Sequence, residues 1–74
     1  ELVKLVHRRA EEAKVAIRNC RRDALEDLRE FEKEKLVTED EFYSGRDDLQ
    51  ELTAKYNERV EEIEERKERE IKEI

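Results

Sequence analysis

Leu36-Val37-Thr38-Glu39-Asp40-Glu41 decides the fold of this 74-residue chain. Thr38 is suited to cap the free backbone N–H groups at the start of a helix. Glu41, three residues on, is suited to reach back and complete a capping box. Three acidic residues in that first turn also match the positive end of the helix dipole. Only Leu36 and Val37 separate this signal from the helical pattern before it. So short a connection makes the two flanking helices antiparallel neighbours.

The preceding half carries Val6, Ala10, Ala13, Ile17, Cys20, Ala24, Leu28 and Phe31 at spacings of three and four, one face of an α-helix. This predicts a first helix from about Leu2 to about Lys35, a turn over 36–38, and a second helix from about Glu39 to about Glu73. The second stripe runs Phe42, Gly45, Leu49, Leu52, Tyr56, Val60, Ile63, Lys67, Ile71 and Ile74, a heptad-like repeat. Laid side by side, Phe31 falls near Phe42, Leu28 near Gly45, Ile17 near Tyr56 and Ala10 near Ile63. Gly45 is a poor helix former but permits close approach opposite Leu28. The expected architecture is all-α, an antiparallel two-helix hairpin.

Composition agrees with long helices. Charged residues make up 54% of the chain, with one Gly and no Pro, against about 25% charged in an average domain. Regular apolar stripes argue against disorder. Val15, Leu25, Val37 and Tyr43 widen those stripes beyond what two helices bury. A core of this size rarely supplies more than about 3–5 kcal/mol, so the wide face calls for a third helix. The absence of Met suggests a processed product or a fragment.

The net charge of −6 is unevenly placed. Residues 1–22 hold seven basic residues and three acidic ones, a local +4, which leaves −10 for residues 23–74. On a helical wheel Lys4, Lys14, Arg18, Arg21 and Arg22 lie on one flank of the first helix, with Arg29 extending the strip to roughly 37 Å at 1.5 Å per residue. That geometry suits a nucleic-acid backbone, because the arginine fork engages phosphate bidentately or stacks on a base. A solvated flank pairing with the acidic second helix, with Arg22 and Glu26 as a local pair, is the structural alternative. Arg21 sits at the stripe's edge, where its stem can pack while its head emerges.

Other chemistries find little support. His7 and Cys20 stand thirteen residues apart on one helix, too far to form a nucleophile–base pair or share a metal. Cys20 is expected to be a small core residue. A single cysteine provides no disulfide framework and fits a reducing compartment. There is no Gly-rich phosphate loop, no distinctive metal spacing, no cofactor motif and no apolar run long enough to span a membrane. A hairpin lacks a pocket for catalysis, so an enzyme is not expected.

Ala10-Glu11-Glu12-Ala13-Lys14-Val15-Ala16-Ile17-Arg18-Asn19-Cys20-Arg21-Arg22-Asp23-Ala24 resembles the helical signature A-E-x-A-K/R-V-A-I/V-R-N-x-R-R-D/E-A of the ribosome recycling factor family. Thr38-Glu39-Asp40-Glu41 is similar to that family's S-E-D-E turn, Asp48 to Ala54 to its D-x-Q-K-L-T-D pattern, and Lys67 to Ile71 to its K-E-x-E-I ending. Glu51 and Ala54 depart from the pattern, as does Cys20 at a normally aliphatic position. The resemblance implies a three-helix bundle whose first helix, and an inserted α/β domain, are missing from this chain.

It implies ribosome recycling after translation termination, by a protein that is not itself an enzyme. The partners implied are the 70S ribosome, the RNA of its large subunit, and elongation factor G through the missing domain, with no role for membrane or DNA. The setting implied is the bacterial cytoplasm or an organelle's stroma or matrix. Arg21, Arg18, Asn19 and Arg22 match the family's RNA-contact motif, with Lys14 and Lys4 adding phosphate contacts. An antiparallel coiled-coil interaction module without RNA binding is the competing reading, and a designed or spectrin-like bundle is a third.

Overall fold

The computed structural model describes residues 1–73, so Ile74 of the expected second stripe lies outside the described residues. They form two helices, α1 over Leu2–Lys33 and α2 over Glu39–Lys72, paired antiparallel along their length. The hairpin measures 56 × 16 × 9 Å with a radius of gyration of 16.9 Å. A compact chain of this length would have a radius near 11 Å. The molecule is therefore a rod.

Local chemistry explains the connection. α1 closes in a Schellman arrangement: Leu36 N–H donates to the Phe31 carbonyl (2.8 Å) and Lys35 N–H to the Glu32 carbonyl (2.9 Å). This requires a left-handed residue, and Lys35 takes that role at φ 63°. α2 then opens on the expected capping box. Glu41 N–H donates to Thr38 Oγ1 (3.1 Å), and Thr38 N–H donates to Glu41 Oε1 (2.8 Å). The Thr38 N–H bond, and secondarily the Thr38 hydroxyl, hold the Glu41 carboxyl below its ordinary range. Val37 precedes the cap and Phe42 follows at the fourth helical position, the two positions of a hydrophobic staple; Phe42 is buried and Val37 half-buried.

Register along the hairpin follows from Gly45. A Cβ there would lie 3.1 Å from Leu28 Cδ2, so the missing side chain lets the helices approach closely at this level. Farther from the turn, Ile17 and Tyr56 line one hollow, and Ala10 and Ile63 line another.

The seam itself departs from the expected stripe. Among the described residues only Ala10, Phe42 and Thr53 are buried. On α2 the residues turned toward α1 include Thr53, Asn57 and Glu64, all buried or half-buried. Leu52, Tyr56 and Ile63 remain 51%, 53% and 42% exposed. The apolar stripe is wider than a single neighbouring helix covers, and α1 takes one edge of it. The other edge lines an open groove with two apolar hollows of about 350 and 390 Å³. Cys20 lies in this groove and is exposed rather than in a core. Phe31 is also exposed, at 44%, and Phe42 meets Tyr43 edge-on, ring centroids 5.4 Å apart.

Candidate nucleic-acid interface

All six residues singled out from the sequence stand on α1, because its uninterrupted helix carries Lys4 to Arg22. Lys14, Arg18 and Arg21 come together in one polar hollow of about 330 Å³ between the helices, which Glu11 of α1 and Thr53, Asn57 and Glu61 of α2 also line. Arg21 borders this hollow and the apolar one around Ile17, Cys20 and Tyr56. It therefore marks the ridge between wet and dry faces. A long side chain at such a ridge can pack its stem along the dry side and present its head to the wet one. Lys4, Asn19 and Arg22 do not line the hollow. Lys4 lies roughly 15 Å farther along the axis than Lys14 at 1.5 Å per residue.

Charge pairing divides the group. Lys14 Nζ lies 3.3 Å from Glu61 Oε1, with its side chain only 28% exposed. Glu61 is itself 62% exposed, so solvent screens the pair. Arg22 Nε is 3.8 Å from Asp23 rather than paired with Glu26; both groups are solvent-exposed, and such a contact adds little. Arg18 and Arg21 differ. Among the described residues, no carboxylate approaches within 4.0 Å of either, nor of Lys4. The cause is local. The helical neighbours three and four residues from Arg18 are Lys14, Val15, Arg21 and Arg22, and those of Arg21 are Ile17, Arg18, Ala24 and Leu25. Neither set contains an acid, so no helical salt bridge forms.

The open end of the hairpin has the opposite character. Glu58, Glu61, Glu64, Glu65 and Glu68 surround His7 in a further hollow. His7 Nδ1 lies 2.5 Å from Glu64 and Nε2 lies 3.9 Å from Glu68. This carboxylate-lined surface disfavours phosphate. Sequence reasoning placed His7 on α1 without assigning it a partner, and it missed Asn57 and Glu61. The Gly45–Leu28 register, extended along both helices, was the signal that would have found all three.

Among the described residues no group of three or more His, Cys, Asp or Glu side chains is arranged to hold a metal ion. No helix is long and apolar enough to cross a membrane.

Comparison with known proteins adds to this geometry. A family model described as "Ribosome recycling factor" matches residues 1–71. The chain is 53% identical over 74 residues to the ribosome-recycling factor of Roseiflexus castenholzii, covering 100% of this chain and 40% of that protein. It is 49% identical over the same span to those of Heliobacterium modesticaldum and Bacillus subtilis, again with 40% of each covered. The chain thus spans about 40% of the length of the curated relatives it matches. No solved structure matches it.

Proposed function

The chain belongs to the ribosome recycling factor family, and from that premise we propose that it serves ribosome recycling after translation termination by anchoring on large-subunit ribosomal RNA. The observation that carries this is the pair Arg18 and Arg21. Both stand mid-rod, exposed, with no carboxylate within 4.0 Å among the described residues. Arginine forks so presented engage phosphate oxygens or stack on unpaired bases. Lys4, Asn19 and Arg22 extend the contact along α1, and Lys14 joins it at the cost of its bond to Glu61. The hairpin holds and orients; it does no chemistry of its own.

The open apolar groove supports the second half of the proposal. Relatives extend well beyond this chain, and a further helix of the longer protein covers the groove to complete a three-helix bundle. A remaining domain takes force from elongation factor G, and the stiff bundle transmits it to the subunit interface of the 70S ribosome in the bacterial cytoplasm. The same groove also favours a plain helix-docking module.

Pelleting with purified large ribosomal subunits at rising salt decides between them. Under the RNA reading, binding falls with salt as counterion release requires, and Arg21→Ala weakens it about tenfold while helicity is unchanged. Binding indifferent to both salt and Arg21→Ala sinks the RNA reading.

A further inference from the structure

The two helices are cross-linked by a ladder of polar rungs. Toward the open end the α2 members of the rungs are carboxylates: His7 Nε2 faces Glu68 at 3.9 Å, and seven residues on along α1, seven back along α2, Lys14 faces Glu61 at 3.3 Å. One turn farther, four residues on and four back, Arg18 and Asn57 occupy the corresponding positions and line one hollow with Glu11, Lys14, Arg21 and Glu61, without a bond between them. Here α2 supplies a neutral amide where it had supplied carboxylates. The next neighbours on α2, Ala54 and Thr53, are neutral as well. Asn57 Oδ1 is buried and has no hydrogen-bond partner. An orphaned acceptor is costly, and Arg18, whose guanidinium carries five donors, lines the same hollow.

We infer that Asn57 is a positioning residue for the anion site: its amide oxygen accepts one N–H of the Arg18 fork and aims the remaining donors at an RNA phosphate. The inference rests on the RNA-anchoring reading above and extends the site to α2. The physical reason for an amide is charge. A carboxylate at this rung would hold Arg18 as Glu61 holds Lys14, neutralising it against phosphate. An apolar residue would leave the long arginine side chain unrestrained, and more rotamer freedom would be lost on binding. An amide orients the fork without spending its charge.

Asn57→Asp and Asn57→Leu test this, with Gln50→Glu as a control for added negative charge on α2. Asn57→Asp should lower affinity for purified large ribosomal subunits at least tenfold and reduce the salt slope by about one, while the thermal midpoint stays at or above wild type. Asn57→Leu should weaken binding about three- to tenfold with helicity unchanged. Gln50→Glu should change affinity less than twofold. Equal binding by all variants, or an equal fall with Gln50→Glu, overturns the inference and leaves the RNA reading intact. Should the wild-type chain fail to bind subunits, the Arg18 Nε–H resonance decides separately. A shift and faster proton exchange in Asn57→Leu support the positioning contact, and an unchanged resonance overturns it.

Discussion

Leu28 Cδ2 stands 3.1 Å from the point where a Cβ on Gly45 would sit. That proximity sets how close the helices come near the turn. Two effects oppose each other at Gly45. Alanine would favour the helix by about 1 kcal/mol. Its methyl group would require Leu28 to move by a few tenths of an ångström. Leu28 is only half-buried, and the opposing atom ends a flexible side chain. Gly45→Ala should therefore stabilise the hairpin by about 0.5 kcal/mol, whereas Gly45→Leu should cost about 1–3 kcal/mol by overpacking. Thermal unfolding followed by circular dichroism checks both. A loss of more than 1 kcal/mol for alanine would mean that Leu28 is held rigidly.

Lys35 occupies the left-handed position of the α1 terminus at φ 63°. Glycine is favoured there because a Cβ crowds the neighbouring carbonyl. Lys35→Gly should raise stability by about 1 kcal/mol, with the two Schellman hydrogen bonds kept. Denaturant midpoints measured with an unchanged m-value would establish it. A destabilising outcome would contradict the strain argument.

The capping box makes a prediction about pH. Glu41 is held below its ordinary carboxylate range by the Thr38 N–H bond. A carboxyl depressed in the folded state stabilises above its unfolded pKa and loses that contribution as pH falls through the lowered folded value. The stability difference between wild type and Glu41→Ala should be present at neutral pH and shrink in acid, below the usual carboxylate range. Thr38→Ala should cost about 1 kcal/mol at neutral pH. A Glu41→Ala difference that stays constant to low pH would show that the charged bond contributes nothing.

Cys20 offers a reporter for the groove. Its thiol is exposed in this hairpin, beside Ile17 and Tyr56. Alkylation by a small maleimide should proceed freely here. In a longer protein whose further helix covers the groove, the rate should fall at least tenfold. Equal rates in the two would mean that nothing packs over Cys20.

Short-range chemistry was the most legible part of the fold. The Thr38–Glu41 box involves residues three apart, and its bonds form as the residues predict. The Leu28–Gly45 approach followed from a short connection and helical rise alone. The edge of α2 that faces α1 was not legible. Leu52, Tyr56 and Ile63 outrank Thr53 and Asn57 in hydrophobicity, yet they stay exposed. A helical wheel ranks residues by burial tendency but does not say which of two flanking neighbours is present. The same gap hid the partners of the basic strip. Lys14 and Arg18 both read as cations on α1, and the structure separates them: Glu61 pairs with Lys14, and no carboxylate among the described residues comes within 4.0 Å of Arg18.

The slender shape has a further consequence when joined to the uneven charge. Carboxylates crowd the end around His7, whereas Arg18, Arg21 and Arg22 stand on α1 at the waist. In the field of any polyanion the two regions feel opposite forces, and a rod 56 Å long gives those forces a long arm. The resulting torque acts once the surfaces come within about a Debye length, roughly 8 Å at physiological salt. The hairpin is thus turned waist-first before any hydrogen bond forms, and fewer encounters are lost to wrong orientations.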